Sequence, residues 1–266
     1  MLSKTLLETG TESESEQGIK CLSDIKHAFY INLDHRTDRK EHVEKELNII
    51  GINATRFEAI KMENGAIGCS MSHLKILQTA LKNGFEHVLV VEDDIKFLSP
   101  PKFISSFNKF LEKHGNNWDV ILFAGNNMPP YETVDETCIK VRQCQTTTGY
   151  LVNGHYIKTM VENIKMGLSN LIRKPDKPSL YAIDKFWFTL QQSDAWFLII
   201  PPTVVQREDY SDIEKKVINY QAIMVDLDKK AMFKQIEEYK LKQQKIKEQY
   251  MQQIEQHNAK VAARMK

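Results

Sequence analysis

The apolar run Val88, Leu89, Val90, Val91, followed at once by Glu92, Asp93 and Asp94, restricts the fold more than any other stretch of the chain. Four consecutive apolar residues are too short a run for most helices, and the three valines carry the β-branching that favours a pleated strand. A strand apolar at every position is covered on both faces, the condition of an inner strand of an α/β sheet. The acids then mark its carboxyl end, the edge where open α/β sheets hold ligands. Three adjacent like charges repel, so either they end the strand in open water or something positive is brought to them. The triplet alone leaves both readings open, because short acidic runs are common.

The neighbouring pattern supplies the rest of such a sheet. AFYINL (28–33) reads as a first strand. Val43, Leu47 and Ile50 then recur at helical spacing, with Gly51 as the stop. ATRFEAI (54–60) is a second strand, and SMSHLKILQTALKNG (70–84) a helix with Leu74, Leu77, Ala80 and Leu81 on one face and Gly84 at its end. HVLVV is the third strand, and WDVILFAG (118–125) the fourth, after a helix around 103–114. This alternation predicts an α/β fold with a largely parallel sheet flanked by helices. Beyond Asn126 the pattern is irregular. TTTGYLV (146–152) returns as a strand, a helix lies near 155–165, the two-proline segment 171–184 reads as a loop, and FLIIPP (197–202) is a last strand halted by proline.

Three segments are expected. Residues 1–26 form an acidic, Ser-rich, disordered leader, 27–228 the ordered body, and 229–266 a basic C-terminal helix with ten Lys or Arg against four Glu. In that helix Met232, Ile236, Tyr239, Gln243, Ile246 and Tyr250 alternate by four and three, a heptad-like seam that offers a surface for homodimerisation or for peripheral contact with an anionic membrane. The formal net charge of +1, from 36 Lys+Arg and 35 Asp+Glu, excludes a general nucleic-acid binder. Cys21, Cys69, Cys138 and Cys144 show no metal-binding spacing. A bridge between Cys138 and Cys144 is one reading, but scattered thiols in a chain of this size suit a reducing compartment better. No stretch reaches transmembrane length and no signal peptide is evident, so a cytoplasmic protein of bacterial or viral type is expected.

Six segments in one order, INLDHRTDR (31–39), ATRFEAI, GAIGCSMSH (65–73), VLVVEDD (88–94), TTTGYLV and PPTVVQREDYSDI (201–213), closely resemble glycosyltransferase family 25. That group includes lipopolysaccharide-biosynthesis and procollagen galactosyltransferases. The resemblance spans about residues 29–213. Two departures are Met71, where the family commonly has Leu, and the Lys/Gln-rich tail after Asp228, which has no counterpart.

The resemblance implies a GT-A-like fold and an inverting, metal-dependent transfer of a hexose, glucose or galactose. The donor would be a UDP-sugar and the acceptor a hydroxyl on a glycan or a hydroxylysine-type residue. It makes the acids the metal and donor site. Glu92 and Asp94 are then the ligands of Mn²⁺ or Mg²⁺, ions that favour carboxylate oxygen and are shared with phosphates. Along a strand these two can face one way and Asp93, a donor contact, the other. The alternative reading is an inactive nucleotide-sugar or glycan-binding module with a dimerising C-terminal helix.

Further roles follow from chemistry. Asn32 and Asp34 can bond a base or ribose, and Arg36 or Arg39 can pair with phosphate, although both arginines equally suit the start of the next helix. Gly68, like Gly65, permits close backbone approach, while Ser70 or Ser72 can cap the helix. His73 is either a contact to donor phosphate or metal or, more commonly, a packing residue. Inverting transfer needs a base near the acceptor hydroxyl. Asp184 is the first candidate and Asp194 the second. Gln206 can orient donor or acceptor, Ser211 and Asp212 can close the site, and Phe186 and Trp187 either stack on a sugar or pack in the core.

Overall fold

The computed structural model describes residues 18–211 and 213–264, with 255–264 as backbone only. Residues 1–17 of the expected leader, and Asp212, lie outside the described residues.

The run that ends in three acids is the inner strand its composition predicts. In β3 (His87–Glu92) the residues Val88 to Val91 are fully buried. Alternation sends Leu89 and Val91 into one core and Val88 and Val90 into another, so two cores sandwich the sheet. Burying each such side chain contributes about 1.5–3 kcal/mol. Before it stand β1 (Ala28–Asn32), α1 (Thr37–Ile49), β2 (Thr55–Glu58) and α2 (Gly65–Lys82). After it come the short β4 (Ile95–Phe97), α3 (Pro100–His114) and β5 (Val120–Leu122). Helix α3 turns Phe103, Phe107, Phe110 and Leu111 into the first core, and Gly115 at φ +54° ends it.

The irregular stretch after Asn126 resolves into short strands, β6 (Asn126–Asn127), β7 (Glu132–Thr133), β8 (Cys138–Lys140) and β9 (Cys144–Gln145), leading to β10 (Gly149–Asn153). The sheet order is β2-β1-β3-β10-β5, continued by β11 (Trp196–Ile199), β8 and β7. β1 pairs in parallel with β2 and β3, and β5 with β11, whereas β10 and β8 run against their neighbours. Six of the eight strands therefore point one way. β10 is reversed because the chain re-enters the sheet from the carboxyl edge without a crossover helix.

Helix α4 (Ile157–Arg173) packs beside α2, and runs eight residues past the expected end near residue 165. The segment expected as a loop holds α5 (Pro178–Tyr181) and the start of α6 (Ile183–Phe186), because Pro178 sits in a first helical turn, where its missing N–H is harmless. Then follow α7 (Phe188–Gln191), β12 (Val204–Gln206), which pairs with β4, a hairpin of β13 (Asp209–Ser211) and β14 (Lys216–Ile218), α8 (Gln221–Val225) and α9 (Lys230–Arg264).

Both boundaries of the ordered body lie outside those expected. Ile19, Leu22 and Ile25 are buried in the first core, so the packed chain begins before residue 27. Lys229 is buried as well, and its Nζ donates to the carbonyls of Ile223 and Asp226 at 2.6 Å, which ties it to the body. The described side chains of α9 from residue 233 onward are exposed, the seam residues Ile236, Tyr239, Ile246 and Tyr250 among them. All four cysteines are free.

Candidate active site

A cavity of about 620 Å³ opens at the carboxyl ends of β1, β3 and β5, and Glu92, Asp93 and Asp94 line it. The strand proper stops at Glu92, and the next two residues form a turn, so the three carboxylates diverge instead of alternating. Each has its own surroundings.

Glu92 accepts from the Thr147 hydroxyl at 2.8 Å and from Gln206 Nε2 at 3.4 Å, with His73 Nε2 at 3.6 Å and Cys69 Sγ at 3.7 Å behind it. Burial alone would push this carboxyl up, but His73, Thr147 and Arg39 together hold it below its ordinary range. Asp93 is matched already: Asn32 Nδ2 donates to it at 2.8 Å and Arg39 Nη1 at 2.8 Å. Burial still outweighs these partners and raises it. Asp94 is the least satisfied. Its Oδ1 is buried without a hydrogen-bond partner, and its other oxygen lies 3.6 Å from Arg39. Burial first, and the charge of Glu92 second, push its carboxyl up to about 8. Gln206 Oε1 is a second buried acceptor with no donor.

Oxygen acceptors lacking donors, on a crowded acidic pair, are the donor set a hard divalent cation takes. Glu92 and Asp94 fit such an ion. Cys69 and His73 also bring ligand atoms within 4.8 Å of Glu92, but they offer sulfur and nitrogen, and of the two only Cys69 lines the cavity.

The remaining sequence candidates divide into those at the cavity and those away from it. Arg36, Arg39, Gln206 and Asp184 line it. Both arginines also reach Asp209 Oδ2, at 3.0 and 3.1 Å, and Arg207 joins them at 2.7 Å, so one carboxylate on the β13 strand gathers three guanidinium groups. Asp184 accepts from the Thr146 N–H at 3.2 Å. Burial, with Glu92 adding to it, raises Asp184 against the pull of Lys185 and Thr146, the direction a general base requires. Asn32 is buried directly behind the wall, bonded to Asp93 and accepting from Arg56 Nε at 3.1 Å.

Asp34 is largely exposed and is not among the cavity-lining residues; it meets Arg56 Nη2 at 3.4 Å. His73 is fully buried with Nδ1 2.9 Å from the Tyr150 hydroxyl, so it touches Glu92 from within the core and does not reach the cavity. Gly68 does require close approach: a Cβ there would meet the Ile60 carbonyl oxygen at 2.4 Å. Neither Ser70 nor Ser72 caps α2. Asn64 does, its side chain accepting from Ala66 and Ile67 N–H, and both serines donate back to carbonyls four residues earlier. Asp194 precedes β11 at the opposite edge of the sheet, bonded by the Tyr156 hydroxyl and Ser193, which removes it as the base. Trp187 is core, donating to the Cys144 carbonyl.

Thr147, Asp209 and Asn126 were not singled out from the sequence. Thr147 carried a signal in the Thr run before a strand, and Asn126 one in its place just past β5. Asp209 is found only by the long-range contacts of Arg36 and Arg39.

A family model described as glycosyltransferase family 25 (LPS biosynthesis protein) matches residues 60–170. A glycosyltransferase 25 family member of Anopheles gambiae is 23% identical over 205 residues, covering 65% of this chain and 33% of that protein. Another, of Drosophila melanogaster, is 26% identical over 164 residues, covering 48% and 26%. The chain thus spans about a third or less of the length of these curated relatives, and they are insect proteins, which lend nothing to the expectation of a bacterial or viral source. Among solved structures, a glycosyltransferase involved in glycosylation of the major capsid of PBCV-1 is similar, with a TM-score of 0.35, 16% identity, and coverage of 65% of this chain and 91% of that one. Among the described residues no helix is long and apolar enough to cross a membrane. α2, β3 and the acidic triplet all lie inside the segment that is similar to glycosyltransferase family 25.

Proposed function

We propose that this chain is a metal-dependent, inverting glycosyltransferase that moves a hexose, glucose or galactose, from a UDP-sugar to a hydroxyl of a glycan or a hydroxylysine-type residue. The observation that carries the reading is Asp94, whose buried, partnerless Oδ1 stands beside Glu92 on the cavity wall. Glu92 and Asp94 would hold Mn²⁺ or Mg²⁺, which supplies positive charge for a departing diphosphate when bound. Asp93 has a separate task, fixing Arg39 at the cavity so that Arg36 and Arg39 present cationic edges to donor phosphate. Gln206 steadies Glu92 from the adjoining strand β12. Asp184, raised by burial, takes the proton of the acceptor hydroxyl as the new glycosidic bond forms. Four free thiols suit a reducing compartment, and we place the reaction in a cytoplasm.

The test is a UDP-release assay with UDP-glucose and UDP-galactose, Mn²⁺ and simple hydroxyl acceptors, with product confirmed by mass. Transfer that stops with excess chelator and in Asp94→Ala supports the reading. A thermal shift with UDP-sugar but no product under any condition would leave a binding module, and unchanged transfer in chelator would remove the metal.

A further inference from the structure

The carboxyl edge carries a second set of polar groups that the acidic triplet does not use. Strand β6 follows β5 in the chain and pairs with β9 in a small separate sheet, and its first residue, Asn126, lines the cavity. Asn126 is 7% exposed, and its Oδ1 is buried without a partner. Buried amides are almost always hydrogen-bonded, so a cavity wall that keeps one unpaired is prepared for a ligand to complete it.

Sheet order locates the ligand's polar part. Along the edge the strands run β2, β1, β3, β10, β5, so the acidic pair at the end of β3 separates two halves of the cavity. The β1–β2 half presents Ile31, Leu33, Ala59 and Ile60, apolar surface suited to a flat ring, beside the charged Arg36, Arg39 and Lys61. On the β10–β5 half stand Asn126, its cross-strand partner Gln145, Thr146 and Asp184. The charged groups of the first half, Arg36, Arg39 and Lys61, suit phosphate, so the uncharged amides and hydroxyl of the second half are the better match for a hexose. Each hydroxyl both donates and accepts, as a primary amide does, so one side chain can read the position and direction of a single hydroxyl.

We propose that Asn126 is a specificity-determining residue that hydrogen-bonds a ring hydroxyl of the transferred sugar, an inference that rests on the nucleotide-sugar reading above. The experiment is calorimetric titration of UDP, UDP-glucose and UDP-galactose, each with Mn²⁺, into the wild type, Asn126→Ala and Asn126→Ser, with melting curves to verify folding. UDP should bind all three proteins within about twofold, because it lacks the hexose. The preferred UDP-hexose should bind the alanine variant about three- to tenfold more weakly than wild type, the worth of one neutral hydrogen bond. Unchanged UDP-hexose affinity, or equal weakening of UDP and UDP-hexose, overturns the assignment while leaving the donor site intact. Failure of the wild type to bind UDP at all overturns the underlying reading and this inference with it. If both variants unfold, saturation-transfer NMR on the wild type decides: hexose protons saturated as strongly as ribose protons support a closely held sugar, and silent hexose protons overturn it.

Discussion

Arg39 Nη1 stands 2.8 Å from Asp93 Oδ1, and both side chains are nearly withdrawn from solvent, at 12% and 9% exposure. This ion pair sets the members of the acidic triplet apart: Asp93 is matched by Arg39 and Asn32, while Asp94 keeps one buried oxygen without a partner. Arg39→Ala should therefore do more than weaken ligand binding. It leaves Asp93 buried with Asn32 as its remaining close partner and takes one of three guanidinium groups from Asp209. Removing one member of a buried pair costs about 3–5 kcal/mol. We expect a loss of about 3 kcal/mol in urea unfolding; a loss under 1 kcal/mol would show that water reaches the pair.

Asp94→Asn should act in the opposite direction on the metal-free protein. The Asp94 carboxyl stays protonated to about pH 8 when folded but ionises from its ordinary 3.8 when unfolded. Its contribution is fully present below about pH 4 and is lost as pH rises toward 8, because the unfolded chain sheds the proton first. Asparagine has no proton to shed. The variant should thus match wild type near pH 4 and exceed it by about 1–3 kcal/mol at pH 8, in the range seen when a buried charge is made neutral. Saturating Mn²⁺ should reverse the order, since an ion at a thousand times its dissociation constant adds about 4.1 kcal/mol to wild type alone. Melting curves at both pH values, in chelator and in Mn²⁺, check all four corners.

Gly68→Ala tests the packing beneath the cavity wall. The obstructing atom is the backbone oxygen of Ile60, which cannot rotate aside, so either α2 or the 59–63 segment must move. Overpacking of this kind costs about 1–3 kcal/mol. Because Ala59, Ile60, Lys61 and Met62 line the cavity, UDP affinity should fall with stability. Loss of stability with unchanged affinity would place the strain in α2 alone.

Legibility in the sequence followed the range of the interactions. β1, α1, α2 and β3 were readable because period and punctuation are local: Val43 and Leu47 one turn apart, Gly51 at φ +75° after α1, four apolar residues before Glu92. The location of the acids at a strand end was readable for the same reason. Their division was not, since it depends on Arg39, 54 residues from Asp93, and on Gln206, 114 from Glu92. Asp194 resembled Asp184 in sequence because both lie near aromatic residues. Only the direction of β11 sends one to the far edge of the sheet while the other faces the cavity. The short strands β6 to β9 escaped notice because two or three residues carry no period.

The C-terminal helix gives the last prediction, and here packing argues against the homodimer that its seam suggests. If Met232, Tyr239 and Ile246 take the d positions, Ile236, Gln243 and Tyr250 take a, and a parallel pair would set Lys242 of one copy beside Lys247 of the other. Like charges there, with Gln243 in the seam and no acidic partner opposite, oppose self-association. The cut that tests this belongs after Lys230, because Lys229 closes the end of the body through the carbonyls of Ile223 and Asp226. Deleting residues 231–266 should lower helical circular dichroism and shift the melting temperature by no more than about 2 °C given the exposure of α9, and both the full and the shortened chain should be monomeric. Light scattering that finds the full chain dimeric and the shortened chain monomeric would make α9 an interface despite its lysines.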